Sequence, residues 1–141
     1  MKKNLILIAE DDNDDRFLLR KAFEESDSEQ GSIQFVENGL QVLGYLQRIK
    51  SDRDTYPSLI ILDLNMPGKD GKEVLKEIKQ TEAFKRIPVV ILTTSGNQNV
   101  IDQCYALGAN SYIKKPISFD SLLKVVERIK LYWMQTVSFP A

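Results

Sequence analysis

The chain has 141 residues, 43% of them hydrophobic and 28% charged, with 19 basic and 20 acidic side chains for a net charge of −1. That length suits one domain able to bury roughly two thirds of its unfolded surface; the near-neutral charge, without a basic stripe, argues against nucleic acid as a direct partner, and no apolar run approaches the roughly 20 residues of a membrane span. There is no histidine, which removes His-based triads, most zinc sites and any self-contained histidine phosphorelay.

Taken in chain order, short apolar runs alternate with longer segments of helical period, the pattern of a parallel sheet covered on both faces. The opening MKKNLILIAEDD meets acids where a signal peptide would continue its apolar region, so a cytoplasmic protein is expected. Leu5 to Ala9 forms the first strand, followed by a helix from about Asn13 carrying Phe17, Leu18, Ala22 and Phe23. Ser32 to Val36 is the second strand, and Val42, Leu43, Leu46 and Ile49 mark its helix. After a loose connection, SDRDTYP at 51 to 57, the third strand runs from Leu59 to Leu62, and Val74, Leu75 and Ile78 mark the next helix. Pro88 to Leu92 opens the fourth unit, whose helix shows Val100, Ile101, Cys104 and Tyr105 and stops at Gly108, a left-handed cap. The single cysteine, Cys104, reads as a small buried hydrophobe. Ser111 to Ile113 is a short fifth strand, and the last helix starts at the N-cap Ser118 with Phe119, Leu122, Leu123, Val126, Ile129 and Trp133 at helical spacing. We expect one doubly wound α/β domain over 1–141, its core at about 4–130, with right-handed crossovers. The apolar tail at 131–141 either packs on its own domain or forms an association surface.

In such folds ligands sit beyond the carboxyl ends of the strands. Those ends carry Glu10 and Asp11 after strand one, Asp63 after strand three, Thr93 after strand four and Lys115 after strand five. Asp12, Thr94 and Lys114 are the neighbours that a shift of register would substitute, although strand alternation points Thr94 and Lys114 to the opposite side. Clustered carboxylates repel unless a cation lies between them, and an all-oxygen site suits a hard ion such as Mg²⁺. Phosphoryl transfer needs a nucleophile, a metal and donors for the charged oxygens, and this set supplies each. A carboxylate can itself be the nucleophile, and Asp63 ends the central strand.

The stretches ILIAEDD at 6 to 12, ILDLNMPGKDG at 61 to 71, PVVILTTSG at 88 to 96 and SYIKKP at 111 to 116 resemble, in order, the response-regulator receiver domains of two-component signalling. The resemblance implies a flavodoxin-like fold with a five-stranded parallel sheet in the order 2-1-3-4-5. It implies that Asp63 accepts a phosphoryl group from a kinase phosphohistidine, and that Glu10, Asp11, Asp63 and the backbone carbonyl of Asn65 hold Mg²⁺. Lys115 would then pair with the phosphoryl oxygens, Thr93 would bond to them and move, and Tyr112 would be the aromatic switch. Counting from the strand end, the family pattern selects Glu10 and Asp11 over Asp12. The aromatic tail and the lengthened connection before strand three resemble the stand-alone receivers that serve bacterial phytochrome kinases. A sensor histidine kinase is the implied partner, with a homodimer through the fourth helix, fifth strand, last helix and tail, and no nucleic acid or membrane.

Three other readings compete. An aspartyl-phosphate phosphatase would need a second acid where Asn65 stands, and a degenerate, phosphorylation-independent binding module is at odds with a complete residue set. Calcium loops starting in the acidic runs fail at their twelfth positions, Ala22 and Val74. The expected function is thus a switch that catalyses only its own phosphoryl transfer. Asp14 and Asp15 read as first-turn acids that complement a helix N-terminus.

Overall fold

A computed structural model describes residues 4–26 and 32–139; Lys2 and Lys3 of the leader reading and Pro140 of the tail lie outside them. Strands β1 (Leu5–Ala9), β2 (Ser32–Val36), β3 (Leu59–Leu62), β4 (Val89–Thr93) and β5 (Ser111–Lys114) pair in parallel in the order β2-β1-β3-β4-β5. This is the expected doubly wound sheet. β4 and β5 each run one residue further than their apolar runs suggest, because Thr93 pairs with Lys114 in the ladder.

Helices α1 (Asn13–Glu25), α2 (Gly39–Ile49), α3 (Gly71–Gln80), α4 (Gln98–Ala106) and α5 (Phe119–Ile129) follow the strands in turn. Each begins at a polar side chain that accepts a backbone N–H of its first turn: Asp12, Asn38, Asp70, Asn97 and Ser118. Such a cap is worth about 1 kcal/mol. α4 ends before Gly108, which adopts φ +107°, the left-handed conformation expected of it.

Strand alternation divides the core in two. Leu7, Ala9, Ile60, Leu62, Val89 and Ile91 meet Val42, Leu46, Val74, Leu75, Ile78 and Cys104 of α2, α3 and α4 on one face. Ile6, Ile8, Leu59, Ile61, Val90 and Leu92 meet Leu19, Ala22 and Phe23 of α1 and Leu122, Val126 and Ile129 of α5 on the other. With both faces covered, β1, β3 and β4 are apolar along their length up to Thr93 at the carboxyl end of β4, whereas the edge strand β2 carries Gln34 at its centre.

Three details depart from the sequence reading. In α1 the buried stripe is Leu19, Ala22 and Phe23, whereas Phe17 is 65% exposed and Leu18 sits at the surface. In α4 only Cys104 is fully buried, and Tyr105 is half exposed. The connection at 51–57 is ordered: a 3₁₀ turn at Arg53–Thr55 leads to buried Tyr56, which donates its O–H to the Lys50 carbonyl at 2.6 Å and lies against Phe84.

The last helix changes pitch. After Ile129 the chain continues as a π-helical segment, Lys130–Thr136, which places Met134 in the core and Trp133 against it, with Phe139 packed further along. Leu131 and Tyr132 are more than half exposed. One side of the tail is therefore anchored in its own domain, and Leu131 and Tyr132 are open to solvent on the other.

Candidate functional site

The carboxyl edge is built by backbone that overruns the strands by one residue. The Glu10 N–H donates to the Val36 carbonyl at 3.0 Å and the Asp63 N–H to the Ala9 carbonyl at 3.2 Å, so both acids leave their strands in ladder geometry. Arg16 Nη1 donates to the Glu10 carbonyl at 2.8 Å and pins the turn that follows β1. Glu10, Asp63 and Thr93 are buried, and Asp11 is exposed at the rim. Carboxylate oxygens of Glu10, Asp11 and Asp63 lie within 4.8 Å of one another. Asp12 is not among them; it caps α1, taking the Asp14 and Asp15 N–H groups at 2.8 and 3.0 Å.

β5 delivers the cation. The Lys115 N–H donates to the Thr93 carbonyl at 2.7 Å, and its Nζ donates to Glu10, to Asp15 Oδ2 at 3.0 Å and to Asp63 Oδ2 at 3.1 Å. The Lys115–Pro116 bond is trans. Thr94 and Lys114, the register alternatives, are exposed. Asn65 ties the remaining pieces together: its N–H donates to Asp63 Oδ1 at 3.1 Å and its Nδ2 to Thr93 Oγ1 at 3.3 Å. Tyr112 is half-buried beside β4 and donates its O–H to the Ser95 carbonyl at 2.8 Å.

The loop that leaves Asp63 is held by close backbone packing. Gly71 opens α3 against it, and a Cβ there would lie 2.5 Å from the Asp63 carbonyl oxygen and 2.6 Å from Leu64 Cα, closer than any side chain can be accommodated without moving that backbone. A glycine eight residues beyond Asp63 thus lets helix and strand end approach each other.

The three carboxylates of Glu10, Asp11 and Asp63, with Asp15 beside them, are matched by one ammonium, so the site carries excess negative charge. Burial pushes the Glu10 carboxyl up to about 7, a rise opposed by the hydrogen bond from Lys115 and reinforced by the Asp63 charge. Burial draws the Lys115 ammonium down, but the hydrogen bond to Glu10 and the charges of Asp63 and Glu10 outweigh it and hold the group raised and protonated. A divalent cation among the three carboxylates would relieve the repulsion, and an all-oxygen donor set of this size suits a hard ion. The residues present fit a divalent metal.

Two contacts escaped the sequence reading. Asp15 reaches across to Lys115 and does not merely face the N-terminus of α1, and the Asn65 side chain bridges towards Thr93. Neither bears a sequence signal, since each partner lies on a distant element.

A flavodoxin-like sheet whose carboxyl edge gathers three carboxylates, a threonine and a lysine defines a receiver-type α/β domain. The family description "Response regulator receiver domain" matches residues 6–127, and the chain belongs to that family of two-component signalling proteins. It is 40% identical over 138 residues to the response regulator Rcp1 of Synechocystis sp., a match that spans 97% of this chain and 93% of that protein. Among solved structures it is similar to the phosphorylated cyanobacterial phytochrome response regulator RcpA, with TM-score 0.89, 36% identity and 99% of both chains covered. The Mn²⁺-bound form of response regulator Rcp1 superposes with TM-score 0.86 at 39% identity, covering 98% of this chain and 99% of that one. Among the described residues no helix is long and apolar enough to cross a membrane.

Proposed function

We propose that the chain is a stand-alone response regulator, one receiver domain over residues 1–141, in which Asp63 accepts a phosphoryl group from a sensor histidine kinase of the phytochrome type. The observation that carries this reading is the meeting of Asp63 with Glu10 and Asp11 on one side and with the Lys115 ammonium, 3.1 Å away, on the other. Similarity over nearly the whole chain to Rcp1 and RcpA, the latter named as a phytochrome response regulator and solved phosphorylated, supports the choice of partner.

In this reading Asp63 is the nucleophile, and Lys115 and Thr93 are placed to hold the oxygens of the arriving phosphoryl group. Glu10, Asp11, Asp63 and the Asn65 carbonyl would hold Mg²⁺, as the Mn²⁺-bound form of Rcp1 supports for a divalent ion in a similar chain. Bound there, Mg²⁺ would offset the carboxylate charge and stabilise charge on the phosphoryl oxygens. The protein transfers the group only to and from its own Asp63 and converts no separate substrate.

The signal leaves by protein contact. A dianion on Asp63 draws Lys115 and the Thr93 hydroxyl inward, and the connection just after Thr93 follows. Tyr112 is hydrogen-bonded to Ser95 in that connection, so its ring is mechanically tied to the displacement. The face of α4, β5 and α5, extended by exposed Leu131 and Tyr132, is the surface that changes and through which a homodimer forms. The compartment is the cytoplasm, with no nucleic acid or membrane as direct partner.

Phosphotransfer tests the reading. A bacterial phytochrome kinase loaded with radiolabelled phosphate passes label to the native chain within minutes and passes none to Asp63→Asn. Label retained by the kinase in the presence of the native chain would rule the kinase class out.

A further inference from the structure

Lys115 has three N–H groups and three carboxylate partners, so its donor capacity is full before any phosphoryl group arrives. To meet a phosphoryl oxygen it has to release or share one of them. The three are not equivalent: the side chains of Glu10 and Asp63 are 2% and 7% exposed, whereas that of Asp15 is 39% exposed and water can replace its hydrogen bond. Asp15 also lines a narrow cleft of about 80 Å³ beside Lys115, together with Leu18, Pro116, Ile117 and Phe119. The cleft reaches Lys115 and not Asp63, so the Asp15 carboxylate joins the site through the ammonium it shares with Asp63.

We infer that Asp15 is a positioning and specificity-determining residue for phosphoryl transfer: it holds Lys115 until the donor arrives and sets a negative charge at the mouth of the site that selects between donors by their charge. This inference rests on the reading of Asp63 as phosphoacceptor. Donors that bring a second full negative charge are disfavoured, and donors whose leaving group carries a cationic nitrogen are not. Acetyl phosphate is a dianion. Its phosphorus forms a bond to Asp63 Oδ as the bond to the acetyl oxygen breaks, and acetate leaves with the electron pair. Phosphoramidate is a zwitterion with a protonated nitrogen. Its P–N bond breaks as the same P–O bond forms, and the nitrogen departs with the electron pair as ammonia.

The ratio of the two rates isolates the charge effect, because any loss in the holding of Lys115 slows both donors alike. We would follow adduct formation by intact mass for the native chain, Asp15→Asn and Asp15→Glu, with Mg²⁺ and each donor in turn. In Asp15→Asn the rate with acetyl phosphate relative to phosphoramidate rises about fivefold, the effect of one unit charge a few ångströms away in a solvated setting. The gain shrinks at about 1 M salt, where the screening length falls to roughly 3 Å, and Asp15→Glu keeps the native ratio. A ratio in Asp15→Asn within twofold of native would overturn the role of Asp15 while leaving Asp63 as acceptor. No adduct on the native chain with either donor would overturn both.

Discussion

Lys115 gathers three carboxylates onto one ammonium, and the residues it joins lie 105, 100 and 52 positions away in the chain. Glu10, Asp11 and Asp63 were legible in the sequence because a carboxylate that ends an apolar strand has nowhere to go but the carboxyl edge. Asp15 was not legible, because acids in a first helical turn already have a local explanation. Glu10 yields a prediction for pH. Its carboxyl titrates near 4.5 when unfolded and at about 7 when folded, so the folded form binds the proton more tightly. Its contribution is favourable below 4.5, falls as pH rises through the window from 4.5 to 7, and is level above. In EDTA, the urea midpoint of the native chain should therefore fall relative to Glu10→Gln across that window. A native midpoint that rises relative to the variant would show that Lys115 overrides burial.

The elements follow the patterns that specify them, and the departures have local causes. Phe17, Leu18 and Leu19 are consecutive, so two phases of α1 satisfy helical spacing with Ala22 and Phe23; packing against α5 selects the phase that buries Leu19. The connection at 51–57 reads as polar, and only the fold reveals that Tyr56 finds Phe84 and a carbonyl partner. The π-helical segment shifts the stripe after Ile129, which no count of α-helical positions anticipates. It buries Met134 and leaves Leu131 outside. Met134→Ala should accordingly cost about 2–4 kcal/mol in a chemical denaturation experiment, and Leu131→Ala about 0.5 or less. Equal costs would mean that the tail is not packed as described.

At the scale of the whole molecule, the alternation of apolar runs and helical segments established a parallel doubly wound sheet, while the strand order came from the likeness to receiver domains. The same architecture supplies the path by which the proposed charge at one edge would reach a side face. Thr93 is buried at the end of β4, Ser95 lies two residues on, and Tyr112 of the neighbouring β5 hangs from the Ser95 carbonyl. Thr93→Ala should remain able to take a phosphoryl group on Asp63 yet fail to form the phosphate-dependent dimer proposed for the native chain, with light scattering as the measure. A dimer that still responds to phosphate in that variant would break the proposed coupling.

Whether Asp63 is the acceptor in a metal-dependent site is decided by the intact mass of the native chain and of Asp63→Asn after incubation with acetyl phosphate, with and without Mg²⁺. One phosphoryl adduct, stable in acid and labile in alkali, should form on the native chain, and only when Mg²⁺ is present. An adduct that persists in Asp63→Asn, or no adduct on the native chain even when trapped within seconds, would contradict that role for Asp63.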